Sequence, residues 1–159
     1  MANFDHAFAI VVGIEAGYVN DPHDPGGETK FGISKRGYPN VDIANLTLND
    51  AQAIYQRDYW NAVQGDALPW PLACYVFDSA VNQGQPTAKL LLQTALGVKA
   101  DGVIGPVTLA AASRAGAYQN ACFMSTRAFE YMKARNFQQY GRGWFNRLFE
   151  IAEASNGVG

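Results

Sequence analysis

The sequence predicts a mainly α-helical protein with a small β-hairpin or strand segment after the first helix. Apolar residues recur at helical spacing over residues 4–12, which indicates an amphipathic helix. Glycine and proline are frequent in residues 17–27, and residues 29–33 alternate as a short strand does. The 159 residues are 48% hydrophobic and 16% charged, which fits one globular domain with enough length to bury a core.

The first helix is predicted over residues 3–15, with Asn3 as its N-cap and Asp5 in its first turn. Its apolar stripe consists of Phe4, Phe8, Val11 and Val12. Glu15 falls on the same stripe at the helix C-terminus, where burial and the helix dipole both raise a carboxyl pKa. A raised pKa is what a general acid requires, so Glu15 is a catalytic candidate. The alternative is that Glu15 only ends the helix and turns into solvent.

The loop after this helix combines rigid turns with polar side chains. Asp21 and Asp24 each precede a proline, and Gly26–Gly27 permits positive φ. A loop of this kind can hold the carboxylate of Asp24 and the hydroxyl of Thr29 across a cleft from Glu15. Each also has a simpler interpretation, an Asx turn for Asp24 and a strand-edge hydroxyl for Thr29. The spacing of acidic residues and histidine does not match a calcium loop, so no metal is expected.

The run Glu-Ala-Gly-Tyr at 15–18 and the run Asp-Pro-Gly-Gly-Glu-Thr-Lys-Phe-Gly-Ile at 24–33 resemble the signature of glycoside hydrolase family 108. That family consists of small peptidoglycan muramidases that serve as phage endolysins or secretion-associated lysozymes. The resemblance implies a lysozyme-like fold with Glu15 as the general acid, although Ala16 replaces a family glycine. The order Glu15, Asp24, Thr29 also resembles the catalytic triad of T4-type phage lysozymes, with an Asp-to-Thr gap shorter by one residue. Asp21 remains an alternative second carboxylate.

From this resemblance we expect an N-acetylmuramidase that cleaves the β-1,4 bond between N-acetylmuramic acid and N-acetylglucosamine. It would act with inversion, without a cofactor, and would lyse cell walls as a phage-type endolysin does. One alternative is a lytic transglycosylase, which uses the 6-hydroxyl of the substrate and leaves an anhydro end. Another is a non-catalytic protein that only binds the cell wall.

The next helix is predicted to begin after a capping box at Thr47 and Asp50 and to run to about residue 60. Tyr55 and Tyr59 lie one turn apart on it, and aromatic faces stack well on sugar rings. Members of the resembled family carry a similar Tyr-x-x-x-Tyr-Trp ending here, so the resemblance implies that Tyr55 and Tyr59, together with Tyr18, bind substrate. The alternative is that both are core aromatics with satisfied hydroxyls.

A largely buried helix is predicted from Pro71 to about Gln83. Asp78 and Asn82 lie one turn apart on one face of it, and polar groups on an apolar helix require partners. The pattern resembles that of the family, so Asn82 and Gln83 are predicted to contact substrate. Structural support of the cleft is an equal alternative.

The remaining sequence predicts a helix over 86–96, a turn at Asp101–Gly102 and a helix start at Gly105–Pro106. Residues 100–108 resemble a motif of peptidoglycan-binding modules. We therefore expect one domain over 1–159, with a catalytic half at about 1–92 and a peptidoglycan-binding-like half at about 93–154. Two final helices are predicted near 119–140 and 144–154, with Trp144 in the core and Arg147 paired to an acidic group.

The formal charge of −2 indicates neither nucleic acid nor an anionic membrane as partner. No stretch is long enough to span a membrane, and no basic n-region precedes the first apolar run. We therefore expect synthesis in the cytoplasm without a signal peptide, and action as a monomer on peptidoglycan in the periplasm or cell wall after release. The resemblance implies a holin or a holin-like export partner. Cys74 and Cys122 are predicted to be buried free thiols, with a disulfide as the open alternative.

Overall fold

A computed structural model describes residues 2–13, 18–20 and 27–157. In this part of the chain the fold is mainly helical, with a small antiparallel sheet after the first helix, which confirms the predicted fold class. The α-helices are α1 (Ala2–Val12), α2 (Leu48–Tyr55), α3 (Leu72–Gln83), α4 (Gln85–Leu96), α5 (Pro106–Ala112), α6 (Ala117–Met132) and α7 (Phe137–Asn156). The strands are β1 (Tyr18–Val19), β2 (Thr29–Lys30) and β3 (Ile33–Ser34).

Helix α1 is shorter at its C-terminus than the sequence predicted. Its apolar stripe is buried as expected, at Phe4, Phe8, Val11 and Val12. The helix begins at Ala2, so Asn3 lies inside it and is not the N-cap. It ends at Val12, and Gly13 forms a turn whose N–H still bonds to the carbonyl of Ala9. Glycine weakens a helix, which gives a physical reason for an end at this position.

The predicted strand at residues 29–33 is two strands joined by a tight turn. The sheet order is β1-β2-β3, all antiparallel, with Val19 opposite Thr29 and Lys30 opposite Ile33. Phe31 and Gly32 form the turn with φ of 50° and 74°. Two central residues with positive φ are typical of a two-residue hairpin, whose backbone twist matches that of the strands. An alternating pattern alone could not reveal this reversal.

Helix α2 begins as predicted and ends early. The hydroxyl of Thr47 accepts the N–H of Asp50, whose carboxylate accepts the N–H of Thr47. After Tyr55 the chain continues as a π-helical segment over Gln56–Trp60, followed by 3-10 turns at Asn61–Val63 and Gly65–Ala67. The indole of Trp60 is fully buried, and a Cβ at Gly65 would lie only 2.3 Å from it. The absence of a side chain at residue 65 therefore allows the chain to pass over Trp60.

Helix α3 runs through the centre of the core. Its ring at Phe77 meets Phe4, Tyr55 and Trp60 edge-on, with centroid distances of 6.0, 6.2 and 5.6 Å. Residues 72–80 are all buried. Helix α3 also packs against α4, α6 and α7, so helices from both predicted halves of the chain contribute to one core.

An internal amide organises the loop between α4 and α5. Helix α4 ends at Leu96, as predicted, and Gly97 caps it with φ 68°. The buried side chain of Gln93 donates to Asp101 Oδ1 (2.9 Å) and to the carbonyl of Val103 (3.0 Å), and it accepts the N–H of Gly102 (2.8 Å). These internal hydrogen bonds hold the turn at Asp101–Gly102, so its conformation needs no ligand to explain it. Wall binding by this half stays a prediction.

The boundary between the last two helices was predicted wrongly. Residues 133–136 separate α6 from α7, whereas the sequence predicted that residues 141–143 separate the two helices. Gly141 lies inside α7, and a Cβ there would come within 2.4 Å of the ring of Phe137. This glycine serves close packing along one helix and does not interrupt it.

Both cysteines carry free thiols. Cys74 is buried in α3, where burial raises its pKa to about 12. Cys122 lies on α6 and is only partly buried, so the prediction of two buried thiols holds fully for Cys74 alone.

Candidate active site

The hairpin of β2 and β3 places Thr29 beside a glycine-rich loop. Thr29 is half-buried, and its hydroxyl donates to the carbonyl of Gly27 at 3.2 Å. Its backbone pairs with Val19 on one side and Ser34 on the other. Thr29 is therefore the central-strand residue of this small sheet, and its hydroxyl is held on the side of the 27–28 loop.

Tyr55 connects this hairpin to α1 and α2. Its side chain is only 3% exposed, and its hydroxyl donates to the carbonyl of Phe31 at 3.1 Å. Its ring packs against Phe8 of α1 at 5.6 Å and against Tyr59 at 5.4 Å. The predicted adjacency of Tyr55 and Tyr59 is thus present. The burial of Tyr55 favours a role in positioning the hairpin, whereas Tyr59 is partly exposed.

A carboxylate and a phenol that the sequence did not single out lie next to this pair. The hydroxyl of Tyr38 donates to Asp58 Oδ2 at 3.0 Å. Arg57 binds both oxygens of Asp58, through Nε at 2.5 Å and Nη2 at 2.7 Å. The hydrogen bonds from Arg57 lower the pKa of Asp58. Burial, together with a hydrogen bond to Tyr59, raises the pKa of Tyr38.

Nothing in the spacing of the sequence indicated this cluster. Tyr38 comes from the loop after β3, which lies twenty residues before Asp58. Arg57 and Asp58 are consecutive residues of the π-helical segment. Segments of this type are frequent at functional sites.

The two predicted catalytic carboxylates lie outside the described residues. Glu15 stands between Gly13, which ends the turn after α1, and Tyr18, which begins β1. Asp24, like its alternative Asp21, belongs to the connection between β1 and β2. Tyr18 pairs with Lys30 through its backbone. The described elements that flank these carboxylates in the sequence are therefore α1, which contacts Tyr55, and the small sheet, which carries Thr29.

Asn82 and Gln83 lie in a different place, at the C-terminal end of α3. They line a polar groove of about 360 Å³ between α3, α6 and α7. Its other lining residues are Thr87, Glu130, Tyr131, Ala134, Asn136 and Trp144. The side chain of Gln85 donates to the carbonyl of Asp58, so this end of α3 and α4 adjoins the Tyr38–Asp58 cluster.

A buried ionic network lies behind the groove. Asp78 is fully buried and receives Arg127 Nη2 at 2.7 Å and Arg147 Nη2 at 2.6 Å. The predicted pairing of Arg147 with an acidic group is thus confirmed. Gln83 is committed to this network, because its Oε1 accepts Arg127 Nε at 2.8 Å. Asp78 and Gln83 support the groove from within.

Trp144 was assigned to the core, but it is half-buried and lines this groove. Its indole stacks on Tyr131, with ring centroids 5.1 Å apart and an interplanar angle of 22°. The sequence offered no signal for this pair, because the two residues come from separate helices whose boundary was itself predicted wrongly.

Within the described ranges, no group of three or more His, Cys, Asp or Glu side chains could hold a metal ion. In the same part of the chain, no helix is both long enough and apolar enough to cross a membrane.

Comparisons with known proteins found a matching family model and a similar solved structure. The family model described as Glycosyl hydrolase 108 matches residues 8–84, a range that contains every residue predicted to be catalytic or substrate-binding. Among solved structures, "Structure of Brucella abortus SagA" is similar over 98% of this chain and 95% of that chain, with 32% identity and a TM-score of 0.86. No curated protein sequence shows significant similarity.

Proposed function

Because the chain belongs to glycosyl hydrolase family 108, we propose that it is a peptidoglycan hydrolase with N-acetylmuramidase activity. Its substrate is the glycan strand of the cell wall. The bond it hydrolyses is the β-1,4 linkage from N-acetylmuramic acid to N-acetylglucosamine.

One observation carries this proposal. Helix α1, the hairpin with Thr29 and the aromatic pair Tyr55–Tyr59 meet at one place. Phe8 of α1 packs on Tyr55, whose hydroxyl bonds to the hairpin at Phe31. In the sequence, Glu15 follows Gly13 by two residues, so the proposed acid comes shortly after the helix that is packed against this meeting point.

In the proposed mechanism Glu15 protonates the glycosidic oxygen of the leaving sugar. Asp24, assisted by the hydroxyl of Thr29, activates a water molecule on the opposite face of an oxocarbenium-like centre, and the anomeric configuration inverts. Inversion requires about 6.5–9.5 Å between the two carboxyl groups, whereas retention requires about 5–5.5 Å. The partly exposed ring of Tyr59 supplies an apolar face for a sugar, and the buried Tyr55 holds the hairpin in place.

The first test is Glu15→Gln in the full chain. Loss of the acid should lower turnover on purified peptidoglycan by about 10²- to 10⁴-fold with no change in thermal unfolding. The matched control is Glu150→Gln, the same substitution at an exposed position on α7. Lysis that survives Glu15→Gln would place the acid at another residue.

A second test separates the loop carboxylates and the reaction types. Asp24→Asn should impair turnover more than Asp21→Asn, and the reverse order would assign the second carboxylate to Asp21. Proton NMR of the freshly released anomer distinguishes inversion from retention. A product lighter by one water would instead identify a lytic transglycosylase.

A further inference from the structure

The polar groove of Asn82 and Trp144 has the size and composition of a ligand site. Its volume of about 360 Å³ lies within the usual range for small-ligand sites. Amides, two hydroxyls and a carboxylate line it beside the rings of Tyr131 and Trp144, a mixture suited to a ligand that is polar at its edges and apolar on its faces. Asn82 lies at the C-terminal end of α3 and is exposed to solvent.

The buried network determines which atom Asn82 presents. The guanidinium of Arg127 can only donate, and its Nη2 lies 3.4 Å from the hydroxyl of Tyr131. The phenol therefore accepts from Arg127 and donates its own proton to Oδ1 of Asn82. With the oxygen engaged, the Nδ2 of Asn82 is the group left to meet a ligand. Asp78 holds Arg127 in place, so a buried ion pair orients an exposed amide.

The same reasoning shows that Gln83 has no such freedom. Its Oε1 accepts both Arg127 Nε at 2.8 Å and the hydroxyl of Ser79 at 3.1 Å. Its Nε2 donates to the backbone carbonyl of Arg127 at 3.4 Å. Both ends of this amide are occupied inside the protein, so the two neighbouring amides have different roles.

The charged side chains around the groove are paired with one another. Glu130 is the acidic residue of its lining and lies 2.7 Å from Lys133. The carboxylate of Glu130 is paired with Lys133, and the guanidinium groups of Arg127 and Arg147 are bound by Asp78, so the amide of Asn82 meets a ligand as a neutral donor. A neutral carbonyl oxygen can accept from Asn82, and the rest of the ligand can pack on Trp144.

We propose that this groove binds an N-acetylated hexosamine of the glycan strand, and that Asn82 Nδ2 donates to the acetamido carbonyl. Trp144, supported by Tyr131, packs against the sugar. The identity of the glycan rests on the proposed function, whereas the donor and its orientation rest on the hydrogen bonds of Arg127 and Tyr131. Asn82 is thus a specificity residue that recognises N-acetylation.

The test is a pair of binding measurements on the full chain carrying Glu15→Gln. The probes are the β-1,4 tetramer of N-acetylglucosamine and cellotetraose, which has hydroxyls in place of the acetamido groups. Dissociation constants from NMR titration give an acetyl selectivity, the ratio of the two constants. We expect a selectivity of about tenfold, the size of one good hydrogen bond.

Variants assign the selectivity to the groove. Asn82→Asp keeps the shape of the side chain and removes the donor, so the selectivity should fall to about one, with the loss confined to the acetylated probe. Trp144→Phe should weaken the binding of both probes by similar factors and leave the ratio of their dissociation constants unchanged. Tyr131→Phe frees the amide of Asn82 to rotate and should reduce the ratio in part. Asn61→Asp, the same substitution at an exposed site outside the groove, is the control.

Equal binding of the two probes, or binding of neither, overturns the proposal. So does a selectivity that persists in folded Asn82→Asp. Each of these results can occur while the wild-type chain still lyses cell walls, and in that case the proposed function stands. Conversely, selectivity that depends on Asn82 in a protein that releases no reducing ends from peptidoglycan would keep this site and overturn the hydrolase function.

Discussion

Two aspartates of this protein, Asp78 and Asp58, make short ion pairs with arginine. Asp78 is buried, whereas Asp58 is partly exposed to water. Asp78 has no exposed surface and bridges Arg127 and Arg147 at 2.7 and 2.6 Å. Asp58 meets Arg57 at 2.5 Å, with side-chain exposures of 26% and 68%. The distances are nearly equal, so they cannot distinguish what the two clusters do.

The difference in solvent access gives the two clusters different consequences. In the interior, removing one partner leaves a charge without compensation from water, and the cost is large. At the surface, water and salt screen the attraction, so the pair contributes little to stability. We therefore assign Asp78 to holding α3, α6 and α7 together behind the polar groove. Asp58 accepts the hydroxyl of Tyr38 beside the proposed cleft.

The largest expected effect is on the interior cluster. Asp78→Asn leaves two guanidinium groups facing a neutral amide, one of them fully buried, and should lower the free energy of unfolding by about 3–5 kcal/mol. Urea denaturation with an unchanged m-value is the measurement. Asp58→Asn, the same change in the exposed cluster, should cost less than about 1 kcal/mol. Similar losses of unfolding free energy in the two variants would show that burial does not determine how much each ion pair stabilises the fold.

A smaller effect is expected from Tyr38→Phe, which removes the phenol that donates to Asp58 at 3.0 Å. The free energy of unfolding should fall by about 1 kcal/mol, the value of one hydrogen bond. Because that bond also helps to lower the pKa of Asp58, the carboxyl should titrate at a higher pH in the variant. Carbon-13 NMR of the Asp58 carboxyl follows this directly, and Tyr140→Phe, at an exposed position on α7, is the control. An unchanged titration of Asp58 would remove Tyr38 from the cluster.

The smallest effect is a change in acid sensitivity for Arg57→Ala. Hydrogen bonds from Arg57 lower the folded-state pKa of Asp58 below its unfolded value of about 3.9. The pair therefore stabilises the fold above about pH 4, and this contribution is lost as the pH falls through the lowered pKa. Below pH 4, the free energy of unfolding should decline less steeply with falling pH in the variant than in the wild type. Parallel curves at low ionic strength would contradict the assignment.

The sequence predicted the parts of the fold that depend on near neighbours. The apolar stripe of α1, the capping box at Thr47 and Asp50 and the end of α4 at Gly97 are confirmed, because each depends on residues within a turn or two. The adjacency of Tyr55 and Tyr59 follows for the same reason. A hairpin was one of the two predicted forms, but the position of its reversal at Phe31–Gly32 was not predicted, because the bulky Phe31 adopts positive φ there and its carbonyl is bound by Tyr55.

The sequence alone thus determined the fold class, the family resemblance and the candidate carboxylates, which are properties of short, contiguous segments. Only the tertiary structure decided which groups meet. Asp78 finds its partners 49 and 69 residues away, and Asn82 is oriented by Tyr131 from a distance of 49 residues. The physical reason is that a buried charge or amide takes its partner from whichever helix packs against it, and helix packing is set by the whole core.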